Sequence, residues 1–288
     1  MFLNLRSGVN LAPGERAALR DAATGAGVEV IDLAPEVDVA AIIRRRMNED
    51  RRLFIAAGGD GTVNSVIQPL VHGDATLAVI PIGTYNHFAK DLGIPLDWRA
   101  ALEVALKGEP HQIDTAHVND RFFVNNVSLG LYPEFVARRE ERGRDYPRWK
   151  ARAYALYTTL RKFPHVTFTV ETEHHQEVIR TQVFTVSNNS YDPSRIGIEA
   201  PRTMMTEGRL LVYWLPHVSR FTLMRFAAHY LAGRVSTTPG FRSFRTVRMK
   251  VQSRHRTLHV GVDGELHTLA TPLTITIVPQ SLLVRVPR

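Results

Sequence analysis

The chain has 288 residues, 44% of them hydrophobic, which is enough to bury a sizeable core in one large domain or two medium ones and argues against disorder. It contains no cysteine, which excludes disulfides, thiolate metal sites and a cysteine nucleophile; no apolar run approaches the roughly 18 residues that span a bilayer, so a cytoplasmic location is expected. The net charge of +8 favours an anionic partner, a nucleotide or an anionic membrane face, while zinc-finger spacing, an aromatic RNA-binding signature and a basic heptad region are all missing, which speaks against nucleic acid.

Residues 1–8 read as a first strand turning at Arg6-Ser7-Gly8. Pro13 to Ala26 has helix-forming composition, with proline at its start and Gly25 and Gly27 at its end, and leads into a second strand over Val28 to Leu33. Val37 to Asn48 predicts a second helix, around which Arg44, Arg45 and Arg46 spread as a solvated face. The apolar run Leu53 to Ala57 then ends in Gly58-Gly59-Asp60-Gly61-Thr62-Val63-Asn64, a strand turning through glycines into a helix. Such a turn aims backbone N–H groups and a helix N-terminus at one spot, which is how phosphate is held. Gly58, Gly59 and Gly61 admit positive φ and close backbone approach. Asp60 stands where an Mg²⁺ bridging phosphates wants a carboxylate, and Thr62 is placed to cap the helix or donate to a phosphate oxygen. Leu77 to Ile82, followed by Gly83-Thr84-Tyr85-Asn86-His87, repeats the design, and two such turns at the carboxyl ends of parallel strands converge on one crevice. Taken alone, the first turn also fits any tight strand-to-helix connection of an α/β protein. Asp97 predicts the cap of a helix from Trp98 to Leu106 that stops at Gly108.

Gly-Gly-Asp-Gly-Thr-Val-Asn at 58–64, with Pro-Ile-Gly-Thr-Tyr-Asn-His-Phe-Ala at 81–89, resembles the diacylglycerol kinase catalytic family, which also takes in sphingosine, ceramide and bacterial lipid kinases. The resemblance runs from Asn4 to the C-terminus and thins in the second half. It implies an α/β plus β fold: an N-terminal three-layer α/β nucleotide-binding domain of the NAD kinase/phosphofructokinase type over 1–115, then a β-sandwich-like lipid-substrate domain over 116–278, with the tail 279–288 returning to the first. It further implies ATP and Mg²⁺. Asn4, Ser7 and Gly8 would touch the nucleotide, although Leu5 stands where relatives carry proline; Gly58, Gly59, Gly61, Thr62, Asn64, Gly83, Thr84 and Asn86 would surround it, and Asp60 and Asp114 would hold the metal directly or through water. By spacing alone Asp114 is a turn or strand-end acid. Many relatives have a second acid where this chain has His87, so either water replaces that carboxylate or His87 meets phosphate or substrate as a cation; reduced or redirected activity is the alternative.

After Asp114 the alternation has period two: Val166, Phe168, Val170; Val183, Thr185; Leu211, Tyr213; Val247, Met249, Val251; Leu273, Ile275, Ile277. That pattern predicts half-buried antiparallel strands. Phe123 to Gly130 is similar to the segment with which relatives enter their second domain. Tyr132 to Phe163 is helical in composition and rich in arginine, with Arg138, Arg139 and Arg142 among aromatics. It reads equally as a surface for anionic headgroups or as a solvated helix with its rings turned inward. Ser219 to Gly233 is a second amphipathic segment and reads as core. Glu207 replaces an aspartate with which several relatives bind a structural Mg²⁺, and its extra length argues against that ion here. Val262-Asp263-Gly264-Glu265 would ordinarily be a hairpin bend; the resemblance implies that Asp263 and Glu265 take the proton of the acceptor hydroxyl, and alternation places both on one face if the turn stays extended.

The reading is therefore an ATP-dependent kinase of diacylglycerol or a related lipid, meeting an anionic membrane peripherally at its inner face, with a homodimer left open as its assembly. An NAD kinase-like enzyme of a soluble substrate would explain the first glycine turn alone, but its second-half turn is missing. A non-catalytic nucleotide or lipid sensor is the third class, and the presence of Asp60, Asp263 and Glu265 argues against it.

Overall fold

A computed structural model of the chain describes residues 1–4, 11–12, 14–130, 133, 166–188, 205–216 and 242–288. In chain order its elements are β1 (Phe2–Asn4), α1 (Glu15–Gly25), β2 (Ile31–Leu33), α2 (Val39–Asn48), β3 (Leu53–Gly58), α3 (Asp60–Ile67), β4 (Thr76–Pro81), α4 (His87–Asp91), α5 (Trp98–Lys107), β5 (Glu109–Val118), β6 (Arg121–Phe123), β7 (Asn126–Gly130), β8 (Val166–Thr172), β9 (Gln176–Ser187), β10 (Leu210–Pro216), β11 (Arg242–Thr246), β12 (Arg248–Ser253), β13 (Thr257–Val262), β14 (Glu265–Ala270) and β15 (Leu273–Val286). They form two units, one of Met1–Thr115, Arg202–Gly208 and Val278–Arg288, the other of Ala116–Pro201 and Arg209–Ile277; the chain of β5 and of β15 runs through the division.

In the first unit the strands lie in the order β2-β1-β3-β4-β15, all parallel. Parallel strands covered on both faces must be apolar throughout, and β3 and β4 are buried at every position after their first. Helix α5 packs on β4 with α1 beside it, while α3 packs on β3 with α2 beside it, giving the helical layers. Asp38 caps α2 by accepting from Ala41 N, and Asp97 caps α5 by accepting from Arg99 N and Ala100 N. The second strand is shorter than predicted. Gly27 at φ 78° lets Val28 N bond back to Ala23 O at 3.0 Å, so the helix end holds Val28 and the strand starts only at Ile31. The arginine row on α2 pairs at the surface, Arg45 and Arg46 with Glu49 at 3.2 and 2.6 Å and Arg46 also with Glu29.

The second unit is antiparallel, in the order β14-β13-β7-β9-β8-β12-β15, with β10 between β9 and β11. Its core is built from alternate residues such as Phe168, Val170, Met249, Val251, Leu273 and Ile275, and Phe168 meets Phe184 edge-on at 5.5 Å. Three predicted phases differ. On β9 the core takes Phe184 and Val186, not Val183 and Thr185, and on β10 it takes Leu210, Val212 and Trp214, not Leu211 and Tyr213, because the ladder between the two strands sets the register; Val247 precedes β12 and is 45% exposed. The segments Tyr132 to Phe163 and Ser219 to Gly233 fall outside the described residues apart from buried Pro133.

Candidate active site

Strands β3 and β4 pair so that Gly58 lies opposite Pro81, which puts their following turns side by side. The glycines there are needed for space and not for positive φ: Gly59 has φ −92°, and Gly58, Gly61 and Gly83 are also outside the left-handed region. A Cβ on Gly58 would stand 2.3 Å from Thr62 Oγ1, and one on Gly83 would stand 2.3 Å from Gly59 Cα. Gly59 and Gly83 thus touch backbone to backbone, and a side chain at Gly83 would force the two turns apart, whereas one at Gly58 would displace Thr62 within its own turn.

Gly59 is the N-cap of α3, and no side chain caps that helix, unlike α2 and α5. Its first-turn N–H groups are therefore open to an anion. Thr62 does not cap, contrary to the first expectation. It is buried in the third position of the helix and accepts a hydrogen bond from Asn4 Nδ2 at 2.8 Å, which ties the end of β1 to the turn. Asp60, half-buried in the first turn, accepts from Phe88 N at 3.2 Å and so links the first glycine turn to the start of α4. Asn86 holds its own loop from a left-handed φ of 53°: its Oδ1 accepts from Gly83 N at 3.0 Å, and its Nδ2 donates to Pro81 O and Gly83 O at 3.2 and 2.9 Å. Asn64 is occupied with Gln68 at 2.7 Å. Thr84, Tyr85 and His87 are exposed, and the Tyr85 and His87 rings stack at 5.7 Å. Ser7 and Gly8 lie outside the described residues.

Asp114 is placed as a tie within the first unit. Its two carboxylate oxygens accept from Gly208 N at 2.6 Å and Gln280 N at 2.8 Å, its own N–H reaches Met205 O at 2.6 Å, and Thr115 beside it bonds Ser281 Oγ at 2.8 Å. Among the described residues no group of three His, Cys, Asp or Glu is arranged to hold a metal. Mg²⁺ needs less than that, since it binds through one or two carboxylates plus substrate phosphates and keeps its waters. Asp60, with Oδ1 on Phe88 N, is a carboxylate that fits this mode; each oxygen of Asp114 accepts one amide N–H and keeps a further lone pair.

In the second unit Asp263 and Gly264 form the two-residue turn between β13 and β14 with φ 47° and 86°. The turn is not extended, so Asp263 and Glu265 do not share one face as the alternation suggested. Asp263 is 9% exposed, and its carboxylate accepts from Val124, Asn125 and Asn126 N at 3.0, 2.8 and 3.0 Å, while its own N–H donates to Asn126 O at 2.9 Å. Three amide donors make its carboxylate a strong organiser of residues 124–126. The side chain of Glu265 is 51% exposed and lies 3.8 Å from His267 Nε2. Burial, with Arg121 beside it, holds the His267 imidazole below its ordinary range, and Glu265 pulls the other way. No local pattern marks the Asp60–Phe88 or Asp263–124–126 bonds, which join residues 28 and more than 130 positions apart; the Pro81–Asn86 loop is different, since asparagine bonding its own turn is a local habit.

Residues 1–118 match the diacylglycerol kinase catalytic domain, and residues 127–286 match the YegS C-terminal NAD kinase beta sandwich-like domain. Proteins named diacylglycerol kinase from Staphylococcus aureus strains JH9 and Newman are each 38% identical over 109 residues, 36% of this chain and 35% of theirs, so the alignment spans about a third of those relatives. A solved diacylglycerol kinase structure from Bacillus anthracis str. Sterne superposes with a TM-score of 0.72 at 18% identity, over 99% of this chain and 95% of that one, a likeness of fold.

Proposed function

The chain belongs to the diacylglycerol kinase catalytic family, whose members transfer phosphate to an alcohol, and we propose that it is an ATP-dependent lipid kinase acting on diacylglycerol or a related lipid. The observation that carries this reading is the backbone contact of Gly59 with Gly83 beside the uncapped start of α3, a cradle with N–H groups and a carboxylate but no bulky side chain. In the reaction an oxygen of the lipid hydroxyl forms a bond to the γ-phosphorus of ATP, the bond from that phosphorus to the β,γ-bridging oxygen breaks, and ADP leaves. The first unit binds the donor: the first-turn N–H groups of α3 and the N–H of Thr84 hold phosphate oxygens, Gly83 N being taken by Asn86 Oδ1, and Asn4 keeps β1 against them. Asp60 would hold Mg²⁺, which when bound supplies neutralisation of phosphate charge. The second unit supplies the proton acceptor. Glu265 is the freer carboxylate and takes the hydroxyl proton, while Asp263 shapes the loop around the acceptor.

The protein meets its lipid at an anionic membrane surface. Each Lys or Arg near such a surface is worth on the order of 1 kcal/mol and is screened by salt, so binding to anionic vesicles should weaken steeply as salt rises, and replacing Arg138, Arg139 and Arg142 by glutamine should lower it. Among the described residues no helix is long and apolar enough to cross a membrane. The deciding experiment is transfer of labelled γ-phosphate to a panel of diglyceride, sphingoid, ceramide, phosphatidylglycerol and soluble acceptors, NAD included. Labelling of a lipid supports the reading; labelling of NAD alone, or of nothing, overturns it.

A further inference from the structure

Asn125 lies in the link Val124–Asn125 between β6 and β7, where the ends of β7 and β9 meet the β13–β14 turn. Its main chain is fully used. Asn125 N donates to Asp263 Oδ1 at 2.8 Å, and its carbonyl accepts from Asn188 N at 3.0 Å and Ser187 Oγ at 3.2 Å. The neighbouring Val124 carbonyl accepts from Asn188 Nδ2 at 3.2 Å. Inside this bonded knot the side chain is an exception: Asn125 is 5% exposed, and its buried carboxamide oxygen has no hydrogen-bond donor among the described residues. A buried acceptor left without a donor costs stability, and a leucine of the same size would not incur that cost.

We propose that Asn125 Oδ1 receives a hydrogen-bond donor of the acceptor lipid, and that the preferred substrate therefore carries a second donor, a hydroxyl, amine or amide N–H, beside the hydroxyl that is phosphorylated. The inference rests on the lipid-kinase reading and deepens it: among the related lipids it selects those with a second donor over diacylglycerol, which carries only the hydroxyl that reacts. The reacting hydroxyl has one proton, which goes to Glu265, so it cannot also satisfy Asn125; the orphan oxygen needs a different donor on the same headgroup. Asp263 fixes the neighbourhood, because its carboxylate grips the amides of 124–126 while Glu265 follows two residues later on β14. The oxygen is sealed in this state and meets a ligand by turning about χ2, a broad torsion in asparagine. A site whose buried acceptor is satisfied only by the right substrate discriminates strongly against the analogue that lacks the donor, because that analogue leaves the acceptor unpaired.

The test uses the full chain and two probes, a 1-O-alkylglycerol and its 2-O-methyl ether, which share the same primary hydroxyl and differ in the second donor. The wild type is expected to favour the diol by about 10²-fold in kcat/KM. Asn125→Leu should bring the ratio to within about threefold, through loss of diol use, and should raise the melting temperature because the orphan is gone. A wild type indifferent to the methyl ether, a preference that survives in Asn125→Leu, or a lower melting temperature in that variant each overturns the inference. If neither probe is phosphorylated, the kinase reading fails on these alcohols. Equilibrium binding of the two probes without ATP then decides the site by itself: tighter diol binding that Asn125→Leu abolishes supports it, and equal or absent binding overturns it.

Discussion

Gly83→Ala tests the contact on which the donor site is built. The new Cβ would stand 2.3 Å from Gly59 Cα, 2.9 Å from Gly59 N and 2.8 Å from Asn86 Oδ1. Two of these atoms are main chain at the end of a buried parallel strand, and the third is a side chain bonded to three loop groups, so none can swing away. Ordinary contact begins near 3.4 Å, which requires the turns to part by about 1 Å. Overpacking of this kind typically costs about 1–3 kcal/mol, and the rigidity of the neighbours places this case near the upper end, roughly a 6–12 °C fall in melting temperature at about 2–4 °C per kcal/mol. Gly25→Ala is the control. It sits at the end of α1 with nothing within 4 Å of a Cβ and no positive φ, and alanine there should be neutral or stabilising by about 0.5–1 kcal/mol. Thermal melts of both variants, with ATP binding by calorimetry, give the comparison. If Gly83→Ala melts within about 1 °C of the wild type and binds ATP as well, the turns do not touch as described and the cradle argument collapses.

Asp60→Asn should keep the bond from Phe88 N, and so keep the fold within about 0.5 kcal/mol, while removing Mg²⁺-dependent turnover; Asp60→Ala should lose about 1 kcal/mol as well, and unchanged metal dependence in both would make Asp60 only a brace. Glu265→Gln should cut turnover by about 10² to 10⁴ with no change in melting temperature, whereas Asp263→Asn, which turns an amide group toward backbone N–H donors, should lower stability by about 2–3 kcal/mol along with activity. Equal stability of the two variants would refute the division of labour between the acids. Because folding holds the His267 imidazole below its ordinary range, the unfolded chain binds the proton more readily. Stability should be fully present above pH about 6.5 and fall as pH drops below it, by at most about 1.4 kcal/mol per pH unit, and His267→Gln should flatten that part of a pH–stability curve.

The strand-turn-helix units were legible in the sequence because their causes are local. A run such as Leu53 to Ala57 is apolar at every position only if both faces are covered, and Asp38 or Asp97 caps a helix with its own side chain. The change to period two after Asp114 is likewise a local signature of strands with one wet face. The roles of individual residues at the site came from longer range. That Gly59 and Gly83 are glycine for want of room, not for φ, depends on two turns 24 residues apart being set level by the β3–β4 register. Which of Asp263 and Glu265 is free to take a proton depends on amides near position 125, brought to the turn by the pairing of β13 with β7. The sequence by itself determined which segments are strands and helices and which residues carry charge, since propensity, capping and burial pattern act within a few positions. Only the tertiary structure decided which polar groups spend their hydrogen bonds on the fold, as Asp114, Asn86 and Asp263 do, and which keep capacity for a ligand, because a hydrogen bond is settled by whichever backbone the packing delivers to within about 3 Å.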